Sequence, residues 1–349
     1  MLIRGVYTKV SELSVLYPFD DNYAAYGGIS LTSLLENNKS FDRIRVFILG
    51  FDLSEQSITG LKRTVNRYKR ELTFIDPLEI DSYIRKFNLP SYRGARIAVA
   101  RLFVTKYISS DIKRLLYLDS DTIIVKDLSE LISSDLGLNT VGMVCDSVGR
   151  DYKRMRGFLP DEEYYNGGVI LYDLDLWRKR KCTERIEEHV LKVRKQYEAL
   201  DQDLINIVLK GEIAKLDLRF NLQPFHIAYS PKLYSQVYGL KGYYTNEEIE
   251  NASKNPVILH AFRYLGMFPW NAGSIHPCVD EYEYYKRISE WKEIKPIVAI
   301  NEDVAIKIER ILHRGLPKRL FLIVFRVAFQ LKMRMIELKT IIGMDYINI

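Results

Sequence analysis

Cysteine is scarce in this sequence of 349 residues, which contains only Cys145, Cys182 and Cys278. Their number is odd and their spacing matches no metal-binding pattern, so the sequence indicates neither a disulfide framework nor a zinc site. Long apolar runs are missing as well. Residues 1–16 contain no unbroken apolar core and predict neither a signal peptide nor a membrane span. We therefore expect a cytoplasmic protein.

Internal repeats, low-complexity stretches and Gly/Ser linkers are also absent, which gives no support to a repeat or fibrous architecture. Hydrophobic residues make up 47% and charged residues 28%, an ordinary balance for a globular chain. We favour one catalytic domain, residues 1–270, followed by a C-terminal extension, residues 271–349. Tyrosine is abundant, with 24 copies. Its ring suits sugars and bases, although half-buried core packing is its more common use.

Short β-branched runs alternate with segments of helical periodicity in the first part of the chain. This alternation predicts an α/β fold with a mostly parallel sheet covered on both faces. In such sheets ligands bind beyond the carboxyl ends of strands, so polar residues that directly follow strands are the first candidates for a site. The pattern predicts strands at 14–19, 45–49, 72–75 and 114–118 and helices at 24–35, 54–67 and 95–108.

The clearest candidate is the pair Asp119 and Asp121, which follows the apolar run 115–118. Alternate side chains of an extended segment share a face, so the two carboxylates can point to the same side. Two hard oxygen ligands without a full protein cage suit Mg²⁺ or Mn²⁺ bridged to a substrate diphosphate. A solvated acidic turn is the ordinary alternative for an isolated pair of this kind.

Other polar residues accompany this pair. His260 closes the apolar run 256–259, and imidazole is an accepted ligand for Mn²⁺, although a lone histidine there is more often packed. Asp201, Gln202 and Asp203 open a helical pattern, where they could cap the helix or face a sugar. Because His260 could serve as a third ligand, it strengthens the prediction that Asp119 and Asp121 bind a metal.

In their order along the chain, these segments resemble glycosyltransferase family 8, the group that contains bacterial lipopolysaccharide α-galactosyltransferases and glycogenin. The resemblance covers about residues 14–270 and is more specific than any single motif. It implies a Rossmann-like GT-A fold, a UDP-sugar donor and retention of anomeric configuration. The matching segments are 20–26 (DDNYAAY), Arg101 within 100–103 (ARLF), 116–121 (LYLDSD), 165–169 (YNGGV), 201–206 (DQDLIN), 219–221 (RFN), and His260 with Pro269 and Trp270.

The resemblance also implies roles for individual residues. Gln202 corresponds to the group beneath the anomeric carbon, in a catalytic segment that includes Asp201 and Asp203. The implied metal ligands, for Mn²⁺ or Mg²⁺, are Asp119, Asp121 and His260. The implied donor contacts are Asp20, Asn22, Tyr23, Arg101, Ser120, Asn166 and Gly266. Ordinary roles stay open for some of these, such as a helix cap for Asn22, a surface ion pair for Arg101 and a turn role for Asn166.

One segment departs from the family pattern. Family members usually carry a Lys directly before Pro-Trp, and this Lys contacts the diphosphate. Here Phe268 precedes Pro269-Trp270, and the segment from His260 is longer than usual. Because a diphosphate leaving group needs positive charge in the transition state, we hypothesise that Arg263 supplies it.

Retention of configuration allows two mechanisms. One is a front-face displacement in which the leaving phosphate helps to deprotonate the acceptor, and the other is a double displacement through a protein nucleophile. An amide is a poor nucleophile, so we favour the front-face route, with Gln202 stabilising an oxocarbenium-like state.

The C-terminal tail is basic and apolar at once. Residues 316–349 carry six basic and two acidic residues, which amounts to +4 of the net charge of +6. We predict a helix at 316–342 that lies on an anionic membrane, or that packs on the core or on another copy of the chain. Its apolar stripe comprises Leu320, Val324, Val327, Leu331, Met335, Leu338 and Ile342. Arg326 interrupts the apolar run, so the helix does not span a membrane.

The basic tail and the family resemblance together suggest a peripheral enzyme on the cytoplasmic face of the plasma membrane. We expect it to transfer galactose or glucose to a glycan or lipid-linked oligosaccharide in capsule or lipopolysaccharide synthesis. A nucleotidyltransferase is an alternative, because it also requires paired carboxylates. The sequence has no Gly-rich phosphate-binding loop near the N-terminus, which argues against this alternative. A UDP-sugar-binding protein without turnover is another alternative. Because the positive charge is concentrated in the tail, we expect no nucleic-acid partner.

Overall fold

The computed structural model describes residues 11–86, 96–193, 200–298 and 303–341. The described part contains nine strands: β1 (Glu12–Asp20), β2 (Arg43–Phe51), β3 (Glu71–Ile75), β4 (Arg114–Leu118), β5 (Thr122–Ile124), β6 (Val141–Cys145), β7 (Tyr165–Asp173), β8 (Ile213–Lys215) and β9 (Ile258–His260). Seven of them form one sheet in the order β3-β2-β1-β4-β7-β6-β8, and β5 pairs with β9. The predicted α/β fold is confirmed.

The main sheet is mixed, whereas the alternation of elements predicted a mostly parallel one. β1 runs parallel to β2 and β4, and β3 runs parallel to β2. β7, however, is antiparallel to both of its neighbours, β4 and β6. The start of β7 therefore lies at the same sheet edge as the carboxyl ends of β4 and β6.

Helices cover the sheet on both sides. The predicted helix at 95–108 is divided by a 3₁₀ turn, Ala100–Phe103, which buries Arg101, and position 95 lies outside the described residues. The helices of the described part are α1 (Asp21–Asn37), α2 (Glu55–Arg67), α3 (Leu78–Lys86), α4 (Arg96–Val99), α5 (Val104–Tyr107), α6 (Ser129–Ile132), α7 (Arg150–Met155), α8 (Leu174–Lys179), α9 (Cys182–Val193), α10 (Leu200–Val208), α11 (Pro224–Ala228), α12 (Pro231–Tyr238), α13 (Asn246–Lys254), α14 (Val279–Ile288), α15 (Val304–Gly315) and α16 (Lys318–Ile341).

The segment that follows residue 270 packs against the main core. Tyr282 and Tyr285 of α14 are buried in it, and Trp291 packs against it. The indole of Trp291 fits between α1 and α2 because Gly28 and Gly60 have no side chains, and a Cβ on Gly28 would lie 2.0 Å from the ring. This wedge joins the segment to the first two helices of the sheet domain.

The last two helices pack on a second, smaller core. Phe321 and Leu322 of α16 are buried there against Tyr229, Tyr234 and Leu265. The predicted helix at 316–342 is found as α16, and the members of the predicted stripe that can be described are exposed: Leu320, Val324, Val327, Leu331 and Met335. The Leu338 side chain and Ile342 lie outside the described part. No helix within it is long and apolar enough to cross a bilayer.

Candidate active site

A cleft of about 410 Å³ opens at the edge where β4, β6 and β9 end and β7 begins. The antiparallel direction of β7 brings Asn166 to this edge, and the N-terminal turn of α10 brings Asp201 and Gln202. The residues that line the cleft are Arg101, Asp119, Asp121, Asp146, Asn166, Gly168, Asp201, Gln202, His260 and Phe262. Seven residues proposed from the sequence thus meet in one cleft.

Asp119, Asp121 and His260 converge as a metal-binding triad would. One ligand atom from each lies within 4.8 Å of the other two. Nε2 of His260 is 3.3 Å from Oδ1 of Asp121 and 3.9 Å from Oδ2 of Asp119. Two carboxylates and one imidazole form a donor set that fits Mn²⁺ or Mg²⁺ and leaves coordination positions for a substrate.

The guanidinium of Arg101 contacts three different segments that form the cleft. Its Nη2 donates to Oδ1 of Asp119 at 2.8 Å, its Nε pairs with Oδ2 of Asp201 at 2.9 Å, and its Nη1 donates to the carbonyl of Gly167. The Tyr117 hydroxyl also donates to Oδ1 of Asp119, at 2.7 Å. Since Oδ1 is occupied in this way, Oδ2 of Asp119 is the oxygen left to face a metal.

The charges of the cleft perturb one another. Burial alone would lower the Arg101 pKa, but Asp119 and Asp201 outweigh it and raise the pKa. Burial raises the pKa of Asp119, whereas at Asp121 the neighbouring His260 outweighs burial and lowers the pKa. Asp121 and Asp119 likewise outweigh burial at His260 and raise its pKa. A cation bound by the carboxylates would compete with the imidazole proton.

Two glycines make room for these side chains. A Cβ on Gly167 would lie 2.7 Å from Nη1 of Arg101, and a Cβ on Gly168 would lie 2.0 Å from the His260 ring. Every other amino acid would therefore displace a cleft side chain at these two positions.

The sequence analysis missed Asp146, Gln223 and Phe262. Asp146 follows the buried strand β6 just as Asp119 follows β4, and that signal could have identified it. Gln223 carried no local signal, because it enters through a hydrogen bond from its Nε2 to Asp146 at 3.0 Å. Phe262 lies edge-on to His260, with ring centroids 4.9 Å apart.

Asp203, proposed as part of the catalytic segment, points away from the cleft. Its fully buried carboxylate accepts from Nε of Arg156 at 2.8 Å and from the hydroxyls of Tyr152 and Tyr164 at 3.1 and 2.5 Å. Burial raises its pKa, and Arg156 acts in the opposite direction. These contacts support the neighbouring helices α7 and α10.

Three of the implied donor contacts, Asp20, Asn22 and Tyr23, lie at the N-terminus of α1, outside the cleft lining. Asp20 caps this helix by accepting from the Tyr23 backbone N–H at 3.1 Å, and Nδ2 of Asn22 donates to it at 3.3 Å. Tyr23 itself is exposed. Ser120 is half-buried in the turn between β4 and β5.

Phe268 stands in a stack of aromatic rings. Its ring lies 4.5 Å from Trp270, which lies 4.0 Å from Tyr26, and both pairs are nearly parallel. The exposed Arg263 covers the outer face of Phe268, with its guanidinium carbon 5.3 Å from the ring centroid. Gly266 has a φ of +75° and lies against Ile306 of α15. Arg263 lies near the Tyr23 end of the site: burial and the charge of Asp121 raise the pKa of Tyr23, and the charge of Arg263 acts in the opposite direction.

Comparison with known proteins agrees with this arrangement. Residues 14–273 match the family described as Glycosyl transferase family 8. The chain belongs to this family. The expected GT-A fold is confirmed by LgtC, a galactosyltransferase solved with donor and acceptor sugar analogs, which is similar with a TM-score of 0.63 and 24% identity over 79% of this chain and 96% of LgtC. The bifunctional glycosyltransferase WbbM gives a TM-score of 0.66 at 22% identity over 82% of this chain, which spans about half of WbbM (51%).

Named relatives of similar sequence extend the comparison. General stress protein A of Bacillus subtilis is 29% identical over 79% of this chain and 93% of its own length. A lipopolysaccharide 1,2-glucosyltransferase of Escherichia coli K12 is 27% identical over 81% of this chain and 80% of its own length. A lipopolysaccharide 1,3-galactosyltransferase of Salmonella typhimurium is 26% identical over 82% and 81%. The predicted family is thus confirmed, and the protein is a glycosyltransferase.

Proposed function

We propose that this family 8 glycosyltransferase is a metal-dependent, retaining enzyme that transfers galactose or glucose from a UDP-hexose to a glycan or lipid-linked oligosaccharide in bacterial surface-polysaccharide synthesis. The convergence of Asp119, Asp121 and His260 beside Arg101 carries the proposal. The names of the lipopolysaccharide glucosyltransferase and galactosyltransferase relatives support the hexose and the acceptor class.

Asp119, Asp121 and His260 would hold Mn²⁺ or Mg²⁺. When bound, the metal supplies positive charge to the departing diphosphate. Arg101 orients the carboxylates of Asp119 and Asp201, because its guanidinium bonds to both. The half-buried Asp201 and the buried Asn166 line the cleft and can contact hexose hydroxyls.

Arg263 would bind the diphosphate in place of the usual Lys. It is exposed, and its guanidinium carbon lies 5.3 Å from the ring centroid of Phe268, which in turn stacks on Trp270. An exposed guanidinium in this place can bind phosphate oxygens with two N–H groups while it keeps its contact with the ring.

Front-face displacement agrees with the contacts of the carboxylates near Gln202. Asp201 is paired with Arg101, Asp203 with Arg156, and Asp146 accepts hydrogen bonds from side-chain amides. Gln202 lines the cleft and offers an amide dipole to a developing positive charge.

The C-terminal helices would bind an anionic membrane surface from the cytoplasmic side. α16 packs on the domain through Phe321 and Leu322. Its opposite side and α15 expose Val304, Ile308, Ile311, Leu320, Val324, Val327 and Leu331. Exposed basic residues flank these, namely Lys307, Arg314, Lys318, Arg319, Lys332 and Arg334. Apolar side chains beside cations suit the headgroup region of an anionic leaflet better than water or a neutral protein surface.

UDP release from a panel of UDP-sugars tests the function. Wild type is assayed with Mn²⁺, with and without EDTA, against glycolipid and oligosaccharide acceptors. Asp121→Ala should abolish release, and Asp161→Ala, an exposed acid outside the cleft, should retain it. NMR of the product should give the same anomeric configuration as the donor. UDP binding without turnover would favour a donor-binding protein, and pyrophosphate release would favour a nucleotidyltransferase.

A further inference from the structure

Asp146 is the meeting point of three side-chain amides in the cleft. Its Oδ2 accepts from Nε2 of Gln202 at 2.9 Å and from Nδ2 of Asn166 at 3.2 Å. Its Oδ1 accepts from Nε2 of Gln223 at 3.0 Å. None of the ion pairs found among the described residues includes Asp146. Neutral N–H groups alone therefore bind this carboxylate.

The oxygen atom of each of these three amides also accepts a hydrogen bond. Oε1 of Gln202 accepts from the Gly167 backbone N–H at 2.9 Å, and Oδ1 of Asn166 accepts from the Gly168 backbone N–H at 2.9 Å. Oε1 of Gln223 accepts from the Ser147 hydroxyl at 2.7 Å. Each amide thus has its oxygen toward a donor and its nitrogen toward Asp146.

Only a group without hydrogens can complete this arrangement. An ionised carboxylate accepts with two oxygens and donates nothing, so three N–H groups can face it at once. If the Gln202 amide turned over, its NH₂ would face the Gly167 N–H, and its oxygen would face the carboxylate. Both contacts would be repulsive, and a buried donor without an acceptor costs roughly 1–3 kcal/mol.

We propose that Asp146 is the positioning residue that fixes the orientation of the Gln202 amide and, with it, the direction of the dipole that the cleft presents beneath the donor sugar. The catalytic consequence rests on the proposed hexosyl transfer. The hydrogen-bonding part does not, because it concerns the resting protein. Asp146 acts through Gln202 and Asn166, which line the same cleft.

Asp146→Asn tests the catalytic consequence. The variant keeps the shape but directs an NH₂ group at N–H donors, so at least one amide must turn or lose its partner. We expect kcat to fall roughly 10–100-fold, the equivalent of one such lost contact. The affinity for UDP should stay within about threefold, because none of the side-chain hydrogen bonds of Asp146 reaches Asp20, Asn22 or Arg101. Asp161→Asn is the matched control, since it makes the same change at an exposed acid outside the cleft.

A double-mutant cycle tests the orientation without turnover. Gln202→Glu alone sets two carboxylates against each other, and Asp146→Asn alone sets donor against donor. In the combined variant, the new amide at position 146 can donate to the new carboxylate at position 202. The folding equilibrium constant of the combined variant should exceed the additive expectation by about tenfold, measured by urea unfolding.

The outcomes separate this proposal from the proposed function. Additive effects in the cycle would overturn the proposal even if the wild-type enzyme is active. A kcat of Asp146→Asn within threefold of wild type would overturn it too, and so would equal losses of kcat and UDP affinity, which indicate a general loss of structure. If wild type transfers no hexose, the function fails, and coupling in the cycle still supports the orientation.

Discussion

Gly168 lies directly against the imidazole of His260, so close that a Cβ on Gly168 would be 2.0 Å from Cε1 and 2.7 Å from Nε2 of the ring. The glycine belongs to β7 and the histidine ends β9, and the ring occupies the space that a side chain would fill. A side chain at position 168 would therefore displace His260, one of the three proposed metal ligands.

Gly168→Ala should displace His260 and weaken Mn²⁺ binding roughly tenfold or more, because overpacking a dense site costs about 1–3 kcal/mol. Titration calorimetry of Mn²⁺ in the presence of UDP measures this. The matched control is Gly149→Ala, since nothing lies within 4 Å of a Cβ at Gly149. Unchanged Mn²⁺ affinity in Gly168→Ala would show that His260 is not a ligand.

Arg263→Ala should raise the donor KM roughly tenfold, because a hydrogen bond to a charged group contributes about 1.5–3 kcal/mol. Adding Phe268→Lys should restore much of the loss by returning a cation to the position before Pro269. Steady-state kinetics of UDP release measures both. Arg287→Ala is the control, since Arg287 also lies over an aromatic ring, that of Tyr284, but on α14. Full activity of Arg263→Ala would refute the assignment.

Val327→Asp combined with Leu331→Asp should reduce co-sedimentation with phosphatidylglycerol vesicles at least tenfold, because both side chains are exposed on α16 and would enter the headgroup region. Transfer to a soluble acceptor should not change. Leu138→Asp is the control, since Leu138 is 78% exposed and lies outside the C-terminal helices. Equal binding of wild type to phosphatidylcholine vesicles would argue against an electrostatic surface, and a concentration-dependent dimer would point to a second copy instead.

Arg156→Met should lower the free energy of unfolding by about 3–5 kcal/mol at pH 7, because it leaves the buried carboxylate of Asp203 without its cation. The Asp203 pKa is already raised by burial, and loss of Arg156 raises it further. A carboxyl group with a raised pKa destabilises the folded state above that pKa and no longer does so once it is protonated. The deficit should therefore shrink as the pH falls toward the ordinary Asp value near 4. Urea unfolding at several pH values measures it, and a deficit independent of pH would contradict the account.

Trp291→Ala should lower the free energy of unfolding by about 2–4 kcal/mol, because the indole fills the groove between α1 and α2. Thermal unfolding of the full chain measures this loss. Tyr284→Ala, in the same segment but with a ring that is 48% exposed, should be nearly neutral. Equal losses of unfolding free energy for the two substitutions would mean that the packing of Trp291 between α1 and α2 does not stabilise the fold.

Local pattern identified the residues of the site better than the way in which they converge. Asp119 and Asp121 converge as predicted, but they lie in a turn closed by a hydrogen bond from the Thr122 N–H to the Asp119 carbonyl at 3.2 Å, and not in the extended segment from which their shared direction was predicted. Local geometry could also have separated Asp203 from Gln202, because consecutive helical residues point about 100° apart. The structure directs Gln202 into the cleft and Asp203 toward Arg156.

The sequence by itself determined most element types, the acidic and imidazole residues of the candidate metal site and the family, since each depends on residue identities within short segments or on their order. Tertiary structure decided the direction of β7, the meeting of Gln202 and Gln223 at Asp146, and which face of α16 stays exposed. These features depend on contacts between segments far apart in the chain, such as Leu118 with Val169 and Val237 with Arg326. Periodicity specifies which side of an element is apolar, but only the packed partner decides what covers it.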